Sequence, residues 1–596
     1  MSVTISKTDA LGCILLIVGY QIGLAIVNGV FSGSLLDTDA YMHLDRVLYL
    51  HEHGSWFASI YPRVNPPFGL EQHWTRPFDV LLWLGAFIGS PLVGFGDALH
   101  GWGVLVGPLL QVASLLAMLW AVLPVADSKK LEALGILFVG QAGIIASFMV
   151  GRPDHQVLIY FLAIVSIGFT VRLLLQPFKG AWCLGAGLVA ALAIWVSMEA
   201  LLFVCLSFVA LGLVWLQGQA EAEKKLFFYA LWCFVGLVVA LLLEQGWAGF
   251  MTPRYDEISS IYVLMMGLNL LIWGLLYGLS RGATRPMSRL ARLGLILVAG
   301  GVSLAFLLWA FPDFFRGPLQ VVDPLYRRIR LARIQELQPL FPVPGAPLAA
   351  QISQVIFWVG IALPALPMMA LQLKNGVGQR ALWVFLGLGV LVFLPLAIDH
   401  IRWAPYVAIY ALPGYAWLIA GILRRMEQRV APRGVPVWRV AIYAVSVCWL
   451  FVPSLVWPIQ SGNSEAHASG SCHLRGVSQL LDDPQTWGSR PRRLLASTDF
   501  GPELLYRTPH AVYSIPNHRF QQGFTETYHL FHTADPDAAH KIVERAGVEL
   551  ILICPHSAEG ALYRRKDGKP NFYNVLAEGH LPAWLKAVPM PERLAP

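Results

Sequence analysis

Apolar runs of about 20 residues, the length an α-helix needs to cross the hydrocarbon core of a bilayer, recur along most of the chain between short polar stretches. They fall at 11–31, 102–124, 132–150, 156–176, 180–197, 200–217, 226–246, 261–280, 289–311, 353–373, 380–397, 404–423 and 437–457. The pattern predicts about thirteen spans. The piece from Phe78 to Val93 is short and interrupted by Gly and Pro, and reads as a re-entrant or surface-lying helix attached to the first loop. The first run is too long for the apolar core of a signal peptide and lacks a small-x-small cleavage site, so it reads as a retained span.

Composition agrees with the pattern. Of 596 residues, 56% are hydrophobic and 13% charged, which excludes a soluble enzyme and places the chain in the polytopic membrane class. The formal charge of +7 is mostly a topology signal. With the N-terminus inside, Lys129, Lys130, Lys179, Lys224, Lys225, Arg281, Arg289, Lys374, Arg380, Arg424 and Arg425 all fall in cytoplasmic loops, as the positive-inside bias requires. No nucleic-acid partner is implied. The scheme gives a membrane domain at 1–457 with large outer loops at 32–101 and 312–352, then an outer domain at 458–596. It suits a bacterial inner membrane with the tail in the periplasm.

The tail carries an α/β pattern. "RRLLAST" (Arg492 to Thr498), "HAVYSIP" (His510 to Pro516) and "VELILIC" (Val548 to Cys554) read as strands. "DPDAAHKIVERAG" reads as a helix with Asp535 as its N-cap, Pro536 at its first position and Gly547 just past its end. Five cysteines lie in spans; Cys472 and Cys554 lie in the tail, where an oxidising compartment either pairs them or leaves two thiols.

The acidic residues are distributed on one side. They gather at Asp37, Asp39 and Asp45, then at Asp154, Glu199 and Glu336, all on the outer face, while the spans hold almost none. A proton-coupled transporter places ionisable groups near mid-membrane; this distribution favours a site at the outer surface. From Asp39 to about His53 the chain reads as a helix with Asp39, His43 and Arg46 on a polar face and Leu44, Val47 and Leu48 on an apolar one. Asp39 then sits where the helix dipole stabilises a carboxylate, able to take a proton from an acceptor hydroxyl or to bind a divalent cation. Asp37 is either a site residue or an N-cap. The basic loop segment "YRRIRLARIQELQP" sits on the outer face against the charge bias, facing either an anionic ligand or lipid headgroups.

Four segments, in order and on the same face, resemble the motifs of the catalytic subunit of oligosaccharyltransferase. "TDAYMHLDRVLYLHEHGSWF" is similar to "FDPYFNYRATKYLVEHGF", which places Asp39 on the family's essential carboxylate. "FMVGRPDHQ" resembles "SVAGSYDNE" and places Asp154 on a metal-binding acid; "IQELQP" resembles "SVSEHQP" and places Glu336 on the acid that reaches the acceptor. "STDFGPELLYRTPH" resembles "WWDYGYQI" and places Asp499 in a substrate-binding role. Arg402 in "DHIRWAPY" is similar to an arginine near the donor phosphate, with Arg152 and the cluster Arg327, Arg328, Arg330 and Arg333 as second choices.

The resemblance implies a GT-C-like polytopic fold and an inverting glycosyltransferase that moves a sugar or oligosaccharide from a polyprenyl phosphate or pyrophosphate to an acceptor glycan or protein. A Mg²⁺ or Mn²⁺ ion on Asp39, Asp154 and His155 is expected with it. Two departures bear on the substrate. Gln156 replaces an acid of the second loop, and Ser497 and Thr498 replace paired tryptophans that hold an Asn-x-Ser/Thr acceptor. A protein N-oligosaccharyltransferase is the alternative within the class, and a lipid-linked glycan transporter the alternative outside it.

Overall fold

A computed structural model describes residues 7–54, 56–57, 60–282, 287–317, 322–376, 378–458, 472, 474–488, 490–565 and 570–591. Among these residues nine helices are long and apolar enough to cross a bilayer, and ten if the bent pair Leu348–Val359 and Ala362–Asn375 forms one span. The difference from the expected count has physical causes. The runs at 180–197 and 200–217 form helices of 17 residues each, Gly180–Val196 and Ala200–Leu216, at the short end of the range that crosses a bilayer. The run at 132–150 breaks into Ser128–Val139 and Ala142–Ser147, and the run at 437–457 into Val435–Cys448 and Val452–Val456.

Arg76–Val93, expected as a re-entrant piece, is a continuous 18-residue helix that passes the same length and polarity test. Pro77 sits in its first turn, where its missing N–H costs little, and Pro91 lies inside the helix, where the Phe87 carbonyl that loses its partner accepts from Ser90 Oγ at 3.0 Å. Large side chains such as Val27, Leu92, Leu290 and Trp309 stay exposed on the outside of the bundle. Apolar faces of that extent need hydrocarbon around them, and the protein is a polytopic membrane protein. The most enclosed of the long helices are His155–Leu175 and Ile401–Glu427. Their ends carry Asp154 and Arg402, so both residues are mounted on the most rigid part of the bundle.

The tail contains a parallel three-stranded sheet. Arg493–Ala496 lies centrally, flanked by Ala511–Val512 and Leu550–Leu552, with Leu494 opposite both Val512 and Leu550. The helix Pro536–Ala546 has the expected caps: the Asp535 side chain accepts from the Asp537 N–H, and Gly547 is left-handed at φ 62°. Cys472 and Cys554 are disulfide-bonded.

The tail does not stand apart from the membrane part. Met42, Tyr61, Val64 and Leu70 of the first loop share one apolar core with Leu494, Leu504, Val512 and Cys554 of the tail. Arg63 reinforces this seam, donating from Nη2 to the carbonyls of Leu505 (2.7 Å), His510 (3.0 Å) and Thr508. The first-loop helix Thr38–His53 is consequently covered on both sides. Its residues from Ala40 to Val47 are all buried, including His43 and Arg46 of the face expected to be polar and open. Periodicity alone registers a two-faced helix; it does not show that a distant domain closes the second face.

Candidate active site

Asp37 opens the first-loop helix, its Oδ1 accepting from the Ala40 N–H at 2.8 Å. Its other oxygen accepts from Arg152 Nε at 2.6 Å, so it is both an N-cap and a site residue. Arg152 also places Nη2 3.3 Å from Asp154 Oδ2, bridging the two carboxylates. The turn that presents Arg152 and Asp154 is fixed by Gly151, left-handed at φ 79°, whose carbonyl accepts from the Leu36 N–H and whose N–H donates to the Val104 carbonyl, both at 3.0 Å. Gly107 lets that turn approach closely, since a Cβ there would lie 2.9 Å from the Met149 carbonyl oxygen.

Asp154 caps the helix His155–Leu175 and is buried. Burial acts to raise its carboxyl, but His155, Arg152 and His43 override that and hold it well below the usual range. The His155 Nδ1 lies 3.0 Å from Asp154 Oδ1 and 3.3 Å from His43 Nε2. Among the described residues His43, Asp154 and His155 are the group whose ligand atoms converge closely enough to hold a metal ion.

The spacing fits one. Two nitrogens bound at the usual zinc distance with a tetrahedral angle lie about 3.3 Å apart. Burial, with His155 beside it, lowers His43, the direction that favours the uncharged imidazole a metal requires. Trp74 stacks on the His43 ring at 4.1 Å and Phe78 meets it edge-on at 5.0 Å, which fixes its plane.

Asp39 sits in the first turn of the same helix. It is close enough to Asp37, Asp154 and Glu336 to be pushed upward by their charges, after burial as the larger cause, with Arg152 partly offsetting both. It lies outside the converging metal-ligand group, where His43, one turn along the helix, stands instead. A raised carboxyl at the edge of the cluster suits proton transfer better than metal binding.

Glu336, from the long loop, accepts from Gln156 Nε2 at 2.8 Å and lies 4.0 Å from Arg402 Nη1. Gln156 thus positions Glu336. Arg402 pairs through Nη2 with Glu199, while its Nε is buried without a hydrogen-bond partner. The arginine is held by one carboxylate yet keeps capacity for an anion. Asp499 lies 2.5 Å from Arg330 Nη2, and its own N–H donates to Glu559 Oε2 at 2.8 Å. It ties the long loop to the tail.

Asp37, Asp39, Arg152, Asp154, His155, Glu336 and Arg402 are therefore linked by direct contacts or by charge, whereas Asp499 pairs with Arg330 and Glu559 instead. His43, Trp74 and Glu199 complete the cluster. Each of these had a sequence signal: His43 one turn after Asp39, Trp74 in the aromatic "HW" of the first loop, and Glu199 as an acid near the outer end of a span; only the identity of Arg402 as the partner of Glu199 is visible in three dimensions alone.

No family model matches the chain, and no curated protein matches it by sequence. Solved structures do. The oligosaccharyltransferase of Archaeoglobus fulgidus in its apo form aligns with a TM-score of 0.69 at 15% identity, over 92% of this chain and 69% of that one. The chain has that fold. The same archaeal enzyme, AglB, in complex with an inhibitory peptide and a dolichol-phosphate aligns at 0.68 and 14%, over 93% and 71%. Its complex with Zn and sulfate aligns at 0.62 and 13%, over 91% and 67%. The GT-C-like polytopic architecture that the motifs implied is the architecture of this chain.

Proposed function

We propose that the protein is an inverting membrane glycosyltransferase that moves a sugar or oligosaccharide from a polyprenyl phosphate or pyrophosphate to an acceptor at the outer face of a bacterial inner membrane. Its N-terminus is cytoplasmic and its tail periplasmic. The observation that carries the reading is the convergence of Asp39, Asp154 and Glu336 with Arg152 and Arg402, in the fold of an enzyme solved with a dolichol-phosphate.

In the transfer, the acceptor oxygen forms a bond to the anomeric carbon as the bond from that carbon to the phosphate oxygen breaks. Asp39 takes the acceptor proton. Arg402, steadied by Glu199 and with Nε free, binds the leaving phosphate, and Glu336 orients the acceptor. His43, Asp154 and His155 would hold a divalent cation, which would supply positive charge beside the leaving phosphate. Two imidazoles and one carboxylate fit Zn²⁺ or Mn²⁺, and fit the oxygen-preferring Mg²⁺ less well. Metal analysis of the purified protein checks this: the ion is expected in the unsubstituted chain and lost in His43→Ala.

A glycan acceptor is favoured over an Asn-x-Ser/Thr peptide. Ser497 and Thr498, where the family has its paired tryptophans, are buried, and Thr498 Oγ1 faces Ser514 Oγ at 3.2 Å, so neither presents a surface to a peptide. The test is transfer by the purified protein from lipid-linked glycan extracted from its own membranes, read as release of polyprenyl phosphate. Asp39→Ala is expected to lower the rate by roughly 10²–10⁴-fold with the melting temperature unchanged; full activity in that variant sinks the assignment.

A further inference from the structure

The first span, Lys7–Val27, lies at the rim of the bundle, with Leu15, Leu16, Val18, Ile22 and Ile26 exposed on its outer side. Its inward stripe is Cys13, Ile17, Gln21 and Ala25, spaced four apart as one helix face requires, and all four are buried. Gln21 is the exception in an otherwise apolar stripe. A buried amide at membrane depth is costly unless its donors and acceptor are met, so its partners define its purpose.

Those partners lie on the turn that carries the active site. Gln21 Oε1 accepts from the Val150 N–H at 2.9 Å, and Nε2 donates to the Phe148 carbonyl at 3.0 Å. One amide thus grips the backbone on both sides of Met149, two residues before Arg152 and four before Asp154. On its far side the same turn is tied through Gly151 to Leu36 and Val104. Gln21 completes the hold from below.

Nε2 spends its second proton on Gln111 Oε1, at 2.9 Å. Turned over, the Gln21 amide would set donor against donor at Val150 and acceptor against acceptor at Phe148, so it has one orientation. Gln111, fully buried on the helix Phe95–Val122, keeps it there although its own Nε2 has no hydrogen-bond partner among the described residues. A carboxylate in place of Gln21 would meet two oxygens with like charge, and a methionine would satisfy none of the three groups.

We propose that Gln21, oriented by Gln111, is a positioning residue: from the first span it fixes the second-loop turn and so sets Arg152 and Asp154 against Asp37, Asp39 and His43 of the first loop. The proposal rests on the transferase reading for its consequence, while the clamp itself is read without any substrate. Hydrogen exchange by mass spectrometry on the full-length protein in detergent reads the clamp. In Gln21→Met, peptides covering 148–154 should exchange about tenfold faster, the size of a lost buried hydrogen bond, while the helices Phe95–Val122 and His155–Leu175 keep their rates. Gln111→Met should accelerate the same peptides by less.

The control is Thr170→Val, which removes a buried hydroxyl bonded to Ser207 Oγ at 2.9 Å, about four turns along the helix from Asp154. It should leave 148–154 and the transfer rate unchanged. Kinetics with lipid-linked glycan extracted from the protein's own membranes read the consequence. In Gln21→Met, kcat should fall at least about tenfold, as a displaced catalytic group requires, with KM for the donor held within about twofold because Arg402 stands on a different helix. Unchanged exchange at 148–154, acceleration spread equally over both helices, or a kcat equal to that of Thr170→Val overturns the proposal. If the unsubstituted protein transfers nothing, the transferase reading fails and the exchange result still decides the clamp.

Discussion

Arg152 stands between Asp37 and Asp154, 2.6 Å from the first and 3.3 Å from the second, and it offsets the upward push on Asp39. Arg152→Gln removes the one cation that lets three carboxylates stand so close together. Transfer activity is expected to fall by roughly 10²-fold, as when one preorganised donor is lost, and Arg152→Lys should recover only part of it because an ammonium cannot bridge two carboxylates in fork geometry. A second pairing is testable by pH. Burial acts to raise Asp256, but hydrogen bonds from His518 and from Arg519, at 2.8 and 2.7 Å through Nε and Nη2, hold it well below the usual carboxylate range. The stability this gives is present above the unfolded carboxyl pKa near 3.9 and is lost as pH falls toward the depressed folded value. Hydrogen exchange across 510–532 should therefore accelerate below about pH 4, and Asp256→Asn should remove that acid dependence. At this scale the sequence was informative where chemistry is concentrated in motifs, as at Asp39, Asp154 and Glu336. It was silent on pairs such as Glu199 with Arg402, because nothing local marks two residues 203 positions apart as partners.

The elements show the same division. The helix Pro536–Ala546 was legible because its ends are written in local chemistry: an aspartate cap, a first-turn proline, a left-handed glycine. The helix Thr38–His53 was legible in extent but not in burial. The break between Ser128–Val139 and Ala142–Ser147 falls at Gly140 and Gln141, a glycine and a polar residue inside an apolar run long enough to be read as one span. A Cβ at Gly140 would come within 2.6 Å of Val447, so close helix contact accompanies the break. The long loop has little regular structure of its own, yet Glu336, Arg330 and Tyr326 each dock on a different part of the protein: the bundle end, the tail's Asp499, and Phe524. Its order is borrowed from its neighbours, which is why neither propensity nor periodicity could describe it.

For the whole molecule, the bundle was legible from hydropathy, whereas the union of first loop and tail was not, since it depends on matched apolar surfaces more than 400 residues apart. The Cys472–Cys554 disulfide closes 82 residues of that tail. Replacing both cysteines by serine should cost the tail up to about 4.5 kcal/mol on the loop-entropy estimate. The loss should be visible as a lower melting transition for the tail while the membrane helices stay intact. Because the tail roofs the first-loop helix, activity should fall in that variant at temperatures where the bundle is still folded.

The shared core between Met42, Tyr61, Val64 and Leu70 and the tail sheet also has a meaning in time. A chain made from its N-terminus presents Met42 and the rest of the first loop early, but the tail residues that cover that side arrive last. At about 5–20 residues per second, the first loop waits on the order of half a minute or more for its roof. An unfinished or truncated chain is therefore an uncapped one, with one side of its first-loop helix left open.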